Sequence, residues 1–327
     1  MLLGYGRLAL ALLKGLLETG QCEIVGVFRW ARHPRFRGRQ DNDDKRLFDL
    51  TRDTKIPDLH FDGANSTDFH NFIEQNQVDT VLIATWGEII RPPTLNIPGV
   101  RFVNCHPSLL PAHRGANPYS SVIRNGERQT GVTFHIVDES IDTGAIVLQS
   151  AVEVTEHDTG DTLRRRCAMT AKQLAAELCD RLNHPNKMTL TQQKDIGTPS
   201  YFPTLKPSDG LIDWSKPAKQ IHDLIRGVQP WIDPYTFVSN WIGSIKLIIR
   251  GSAIRVATRS PKAAGTVTSI EDDTIWVQTG DEKQEIGLRN VHLCLGSIAL
   301  PHSLARLARM WWIRPGSVLK AANKKHD

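Results

Sequence analysis

The spacing of apolar residues divides this chain into two regions. In the first, stretches with helical spacing alternate with β-branched runs. Leu8 to Leu17 has the helical pattern, and Glu23 to Phe28 follows as a β-branched run. Phe69, Phe72 and Ile73 stand at helical offsets before the nearly continuous apolar run Val78 to Ala84. Val100 to Val103 predicts another strand, and Pro118 to Arg124 a helix stopped by Asn125-Gly126. Val132, Phe134 and Ile136 alternate at period two, ahead of a strand from Ala145 to Leu148. Asp161 is placed to cap a long helix ending near Leu182, because Leu174, Leu178 and Leu182 repeat every four residues. Val- and Ile-rich strands alternating with helices predict an α/β fold, a Rossmann-like and mostly parallel sheet with helices on both faces.

The pattern changes from Asn183 to Pro207, which is polar and carries four prolines. Beyond it Ile221, Leu224, Ile225 and Val228 share one helix face. After Pro234, short strands centred on Phe237, Leu247, Ile254, Val267, Ile275 and Leu288 are separated by Gly, Asn and Asp. Closely spaced short strands of this kind predict a smaller C-terminal β-barrel, OB-like in size. The expected organisation is a catalytic domain over 1–195, a linker over 196–206 and a β-barrel-like domain over 207–327.

Composition adds constraints. A chain of 327 residues, 40% apolar and 23% charged, matches a globular protein with two cores. The longest apolar-rich stretch, Leu8 to Leu17, is broken by Lys14 and Gly15, so no membrane span is expected. The N-terminus lacks a secretory pattern, and five scattered cysteines suit reduced thiols, so the expected location is cytoplasmic. Residues 1–204 hold 23 Lys and Arg against 24 Asp and Glu, whereas residues 205–327 hold 17 against 11. The positive excess therefore lies in the C-terminal third, where it favours a polyanionic partner.

Candidate chemistry is concentrated at two places. In Phe-Val-Asn-Cys-His-Pro-Ser-Leu-Leu-Pro, Asn104 and His106 stand two residues apart as an apolar strand ends. Both side chains then point to one side of that strand, an amide donor beside an imidazole. Such a pair suits binding a developing oxyanion and moving a proton. The second place is Asp142-Thr143-Gly144. A separate motif, Gly4-Tyr5-Gly6-Arg7-Leu8-Ala9, has the Gly-x-Gly-x-x-Ala form of a dinucleotide fingerprint, with Arg29 at the end of the second strand. It keeps an NADP-dependent reading open beside a plain strand-to-helix turn.

The run from Asn104 through Ser108-Leu109-Leu110-Pro111 to Arg114-Gly115, with Gly131 to Asp142-Thr143-Gly144-Ala145-Ile146, resembles the two signatures of the folate-dependent formyltransferase family. The resemblance covers residues 1–182, and Leu211-Ile212-Asp213-Trp214 with the strands after it resembles the C-terminal domain of the family's tRNA-acting branch. It implies formyl transfer from 10-formyltetrahydrofolate to the amino group of methionyl initiator tRNA by a monomer that needs no metal. Asn104, His106 and Asp142 would be catalytic. Ser108, Leu109, Leu110 and Pro111 would cradle the folate, with Trp86 and Ile89 bordering the same cleft. Arg32, Arg35, Arg37 and Arg39 lie where that branch carries a basic tRNA-binding loop, although the spelling differs from the usual one. The nucleotide-sugar N-formyltransferases share the same core and remain the alternative, with an amino-sugar nucleotide as acceptor.

Overall fold

Short, almost wholly buried strands build a seven-stranded sheet in the first part of the chain. The computed structural model describes residues 1–29, 42–240, 243–257, 260–295, 298–299 and 312–321. The strands are β1 (Leu2–Gly4), β2 (Val27–Phe28), β3 (Asp58–Leu59), β4 (Thr80–Ala84) and β5 (Arg101–His106). A two-residue strand, β6 (Arg114–Gly115), stands apart, and β7 (Gln129–Ile136) and β8 (Ile146–Glu153) complete the sheet. Its order is β3-β2-β1-β4-β5-β7-β8. The first five are parallel, while β7 pairs antiparallel with β5 and β8 antiparallel with β7. The mostly parallel α/β sheet is therefore as expected.

Strand order reverses between β1 and β4, and in open α/β sheets ligands bind at the carboxyl ends of strands near such a point. Asn104 is in register with Ile83, so the turns that follow β4 and β5 leave the same edge of the sheet.

Helices flank the sheet. They include α1 (Gly6–Thr19), α2 (Asn42–Asp53), α3 (Thr67–Gln75) and α4 (Pro92–Leu95), and α5 (Pro118–Arg124) follows β6 along the chain. Leu8, Ala9, Leu12, Leu13 and Leu16 form the buried stripe of α1, which ends on Gly20 in the left-handed conformation. Three local expectations need correction. Of Glu23 to Phe28, only Val27 and Phe28 pair as a strand. The long helix expected from Asp161 is two, α6 (Gly160–Gln173) and α7 (Ala175–Asn183), broken at Leu174. There α1 comes close enough that a Cβ on Gly15 would sit 2.5 Å from the Lys172 carbonyl. Asp161 lies inside the first turn rather than capping it, where its charge opposes the helix dipole favourably.

The backbone forms two compact units: Met1–Pro118 with Arg128–Val154 and Thr162–Pro203, and Tyr119–Glu127 with Thr155–Asp161 and Thr204–Asp327. The stretch read as a linker contributes a strand to the first unit: β9 (Tyr201–Phe202) pairs in parallel with β6.

In the second unit, α8 (Ala218–Gly227) is followed by β10 (Tyr235–Asn240), β11 (Gly243–Val256), β12 (Val267–Glu271), β13 (Thr274–Gln278), β14 (Gln284–Leu295), β15 (Ile298–Ala299) and β16 (Leu319–Lys320). They form a curled antiparallel half-barrel in the order β12-β13-β14-β11-β10-β16. A Thr266–Val318 bridge ties its two ends together. Ile221 and Ile225 of α8 close its core over Leu247, Ile249, Val277 and Leu288, and the Trp214 indole donates to Thr236 at 2.9 Å. No helix among the described residues is long and apolar enough to cross a membrane.

Candidate active site

Strand β5 continues through Asn104, Cys105 and His106, because each of these residues has a partner on β7. Asn104 opposes His135, and His106 opposes Thr133. Opposed residues of an antiparallel pair share a face, so four polar side chains stand together on one side of the sheet. Cys105 points the other way and is buried.

Asp142 completes the cluster from the loop between β7 and β8, in the left-handed conformation with φ 56°. Its Oδ2 lies 3.5 Å from His106 Nδ1 and accepts the Gly115 N–H at 2.8 Å. Its Oδ1 accepts the Asn104 amide at 3.3 Å and lies 3.5 Å from His135 Nε2. The three residues expected to be catalytic therefore converge. His135 joins them, and it was not singled out from the sequence. The signal was present: Val132, Phe134 and Ile136 alternate, so His135 had to face the opposite way, but the pairing that sets it beside Asn104 is long-range.

Each group has a distinct protonation environment. His106 Nε2 lies 2.9 Å from the His113 carbonyl, so that nitrogen carries the proton and Nδ1 faces Asp142. Burial pushes the His106 ring below the usual imidazole value, against the opposing pull of Asp142 and of the His113 carbonyl. The ring is thus neutral near pH 7. Burial also resists ionisation of Asp142, but the two imidazoles that face it, His106 first, and the Gly115 N–H outweigh it, because both rings become cationic in acid before the carboxylate takes up a proton. They hold the carboxyl well below the usual carboxylate range. His135 Nδ1 donates to its neighbour's carbonyl at Ile136 (2.8 Å), leaving Nε2 to accept the Asn104 amide at 3.1 Å.

The turn after β5 is held on several sides. Ser108 Oγ donates to the Ala112 carbonyl at 2.7 Å, and Thr133 Oγ1 donates to the Ser108 carbonyl at 2.6 Å. Gln149 donates to the Leu110 carbonyl at 3.0 Å, and a Cβ on Gly131 would strike Leu109. Ser108, Leu110 and Pro111 are buried while Leu109 is half-buried, so this turn presents mainly backbone and one leucine. Trp86 packs on Phe28 at 5.0 Å and is anchored to the core, whereas Ile89 is exposed on the same loop. Glu88 fastens that loop by accepting the Ala64 N–H at 2.8 Å and the Asn65 amide at 2.7 Å. Arg32, Arg35, Arg37 and Arg39 lie outside the described residues.

The glycine turn is engaged by its own chain. A Cβ on Gly4 would come 2.1 Å from the Ala84 carbonyl, so close strand packing accounts for that glycine. Asp44 accepts the Gly6 N–H at 2.5 Å, where a pyrophosphate would bind, and Asp43 pairs with Arg7 at 2.7 Å. Arg29, the candidate for a 2′-phosphate, is paired with Asp58 and lies over the Phe48 ring. Among the described residues no group of His, Cys, Asp and Glu is placed to hold a metal ion.

Comparison with known proteins identifies the family. A family model described as formyl transferase matches residues 3–178, and one described as formyl transferase, C-terminal domain, matches residues 204–297. The chain is 32% identical over 278 residues to methionyl-tRNA formyltransferase of Pelotomaculum thermopropionicum, covering 85% of this chain and 86% of that protein. It is 28% identical to the enzyme of the same name from Thermotoga maritima, covering 86% and 87%. Among solved structures, the N-formyltransferase of Helicobacter canadensis, in complex with folinic acid and dTDP-3-aminofucose, superposes with a TM-score of 0.64 at 18% identity. It covers 88% of this chain and 97% of that one.

Proposed function

Because this chain belongs to the formyl transferase family, we propose that it transfers the formyl group of 10-formyltetrahydrofolate to the amino group of methionyl-tRNA, as a cytoplasmic monomer. The observation that carries the acceptor assignment is the extent of the alignment. Relatives named for methionyl-tRNA match over more than four-fifths of this chain. The sugar enzymes share the fold at 18% identity.

The bound folate supplies an amide-like carbonyl that a neutral amine can attack. The chain's residues fit that donor: the backbone-rich turn of Ser108, Leu109, Leu110 and Pro111 adjoins the polar face of β5, at the edge that the loop carrying Trp86 and Ile89 also leaves. In this reading the turn holds the folate, and Trp86 and Ile89 border it. Asn104 stabilises charge developing on the formyl oxygen. Its 3.3 Å bond to Asp142 is longer than a typical N–H···O bond, so a stronger acceptor displaces it readily. Neutral His106 receives the proton leaving the amine at Nδ1, and Asp142, 3.5 Å away, stabilises the resulting imidazolium. As the tetrahedral intermediate collapses, the bond from the formyl carbon to the folate nitrogen breaks, and that nitrogen takes the proton as tetrahydrofolate leaves. His135 Nε2 accepts from the same Asn104 amide nitrogen at 3.1 Å, beside Asp142 Oδ1. Arg32, Arg35, Arg37 and Arg39 are assigned to tRNA contacts on their charge and place in the chain.

The test offers purified protein a formyl-labelled donor with methionyl-tRNA and with a nucleotide-linked amino sugar in parallel. Label is expected on the tRNA, with an apparent affinity that falls steeply as salt rises. Label on the sugar alone, with little salt dependence, would move the chain to the sugar branch.

A further inference from the structure

Gln193 lies in the polar, proline-bearing stretch after α7, yet it is only 3% exposed. Its side-chain nitrogen donates to two main-chain carbonyls, those of Asp142 and Gly144, at 2.8 Å each. Its side-chain oxygen accepts from Arg114 twice, from Nε at 3.1 Å and from Nη2 at 2.6 Å. The next residue, Gly115, donates its N–H to the Asp142 carboxylate. Asp142 is therefore gripped by its main chain through Gln193 and by its side chain through Gly115. Both grips lead back to β6.

That strand is itself braced by the returning chain. Arg114 N donates to the Ser200 carbonyl and His113 N to Ser200 Oγ, each at 2.9 Å, and β9 pairs beside them. A non-glycine residue at φ 56° is strained and persists only where its surroundings over-determine it. Gln193 supplies that constraint where neither Asn104 nor His106 touches the backbone of residue 142. An amide suits this place. It donates to the carbonyls and accepts from a guanidinium at once, and it adds no second negative charge beside Asp142.

We propose that Gln193, oriented by Arg114, is a positioning residue that sets the Asp142 carboxylate against His106, so that the 190–203 segment is part of the active site. The proposal deepens the formyl-transfer reading and rests on it for its kinetic readout, but not for its spectroscopic one. The groups facing Asp142 are His106 and Asn104 from β5, His135 from β7 and Gly115 from β6.

The test compares Gln193→Ala, Gln193→Glu and wild type. Gln193→Glu keeps an acceptor for Arg114 but loses both donations to the Asp142 loop. Each variant is expected to lose about 10- to 100-fold in kcat, the size of effect that an ångström of misplacement produces, with KM for the folate donor within about twofold. The His106 ring, followed by two-bond proton–nitrogen NMR, is expected to titrate lower in Gln193→Ala than in wild type, because the carboxylate no longer faces Nδ1, while the added negative charge of Gln193→Glu offsets part of that drop. Arg114→Lys, which keeps the charge but not the fork, is expected to shift the ring in the same direction by less. It serves in place of Gln193→Ala should that variant not fold. A folded variant with unchanged His106 titration and unchanged kcat overturns the proposal. A wild-type protein that leaves every amine unformylated, while Gln193→Ala still shifts the ring, removes the reaction assignment and leaves the positioning role standing.

Discussion

Two turns leave the same edge of the sheet, and both match a known ligand-binding spelling. After β1, Gly4-Tyr5-Gly6 has the form of a dinucleotide fingerprint; after β5, Pro107 to Pro111 follows Asn104 and His106. The structure treats them differently. At the first, the groups that would meet a ligand are consumed internally: Asp44 accepts the Gly6 N–H, and Arg7 and Arg29 each face an aspartate. At the second, a carboxylate, an amide and two imidazoles converge at separations of 3.1–3.5 Å, long enough for their bonds to be exchanged. A motif marks a site only where its polar groups are not already satisfied by their own chain.

The sharpest way to break that contrast is to remove the converging groups. Asn104→Ala, His106→Ala and Asp142→Ala are each expected to lower kcat by about 100- to 10000-fold, the range typical of a lost oxyanion donor or proton acceptor. Circular dichroism should show the fold retained. Full formyl transfer by Asp142→Ala would end the mechanistic reading.

The other arm of the contrast predicts a stability defect. Gly4→Ala drives a methyl group into the Ala84 carbonyl and is expected to cost about 1–3 kcal/mol, the usual range for overpacking. Each kcal/mol should lower the melting temperature by about 2–4 °C for a unit of this size. Wild type should show no saturable binding of NADPH by fluorescence titration. Saturable binding, lost in Gly4→Ala, would restore the dinucleotide reading and dissolve the contrast.

These two turns also show what a sequence carries. Asn104 and His106 were legible because both lie on one strand, where period two fixes the side each faces. The sheet and the half-barrel were legible for the same reason, since apolar alternation is local. His135 was not, because its role depends on the register between β5 and β7, which pairs residues 31 positions apart. Gln193 was hidden more deeply. It sits among polar and proline residues with no periodicity, and its burial arises only because the chain returns to brace β6. Asp142 was found by its family spelling, while the left-handed backbone that aims it is a tertiary constraint with no local signature.

The smallest expected effect separates the two titrating partners by pH. The unfolded chain has an ordinary carboxylate, with a pKa of about 3.9, whereas the folded Asp142 lies well below that range. Below about pH 4, therefore, the unfolded state binds a proton that the folded state does not, and stability falls as pH falls. Above that value the contribution is fully present. His106 acts over a different window. Burial lowers its folded value, so the unfolded ring, titrating near 6.5, takes up its proton first, and stability begins to decline below about pH 6.5. Urea unfolding of wild type, Asp142→Asn and His106→Gln across this range resolves the two. His106→Gln should flatten the decline between about pH 6.5 and 5, and Asp142→Asn the decline below about pH 4. A wild-type curve that matches both variants in both windows would mean that neither group is perturbed by folding. The convergence on one face of β5 would then be a matter of proximity without electrostatic coupling, and nothing would distinguish it from the satisfied turn after β1.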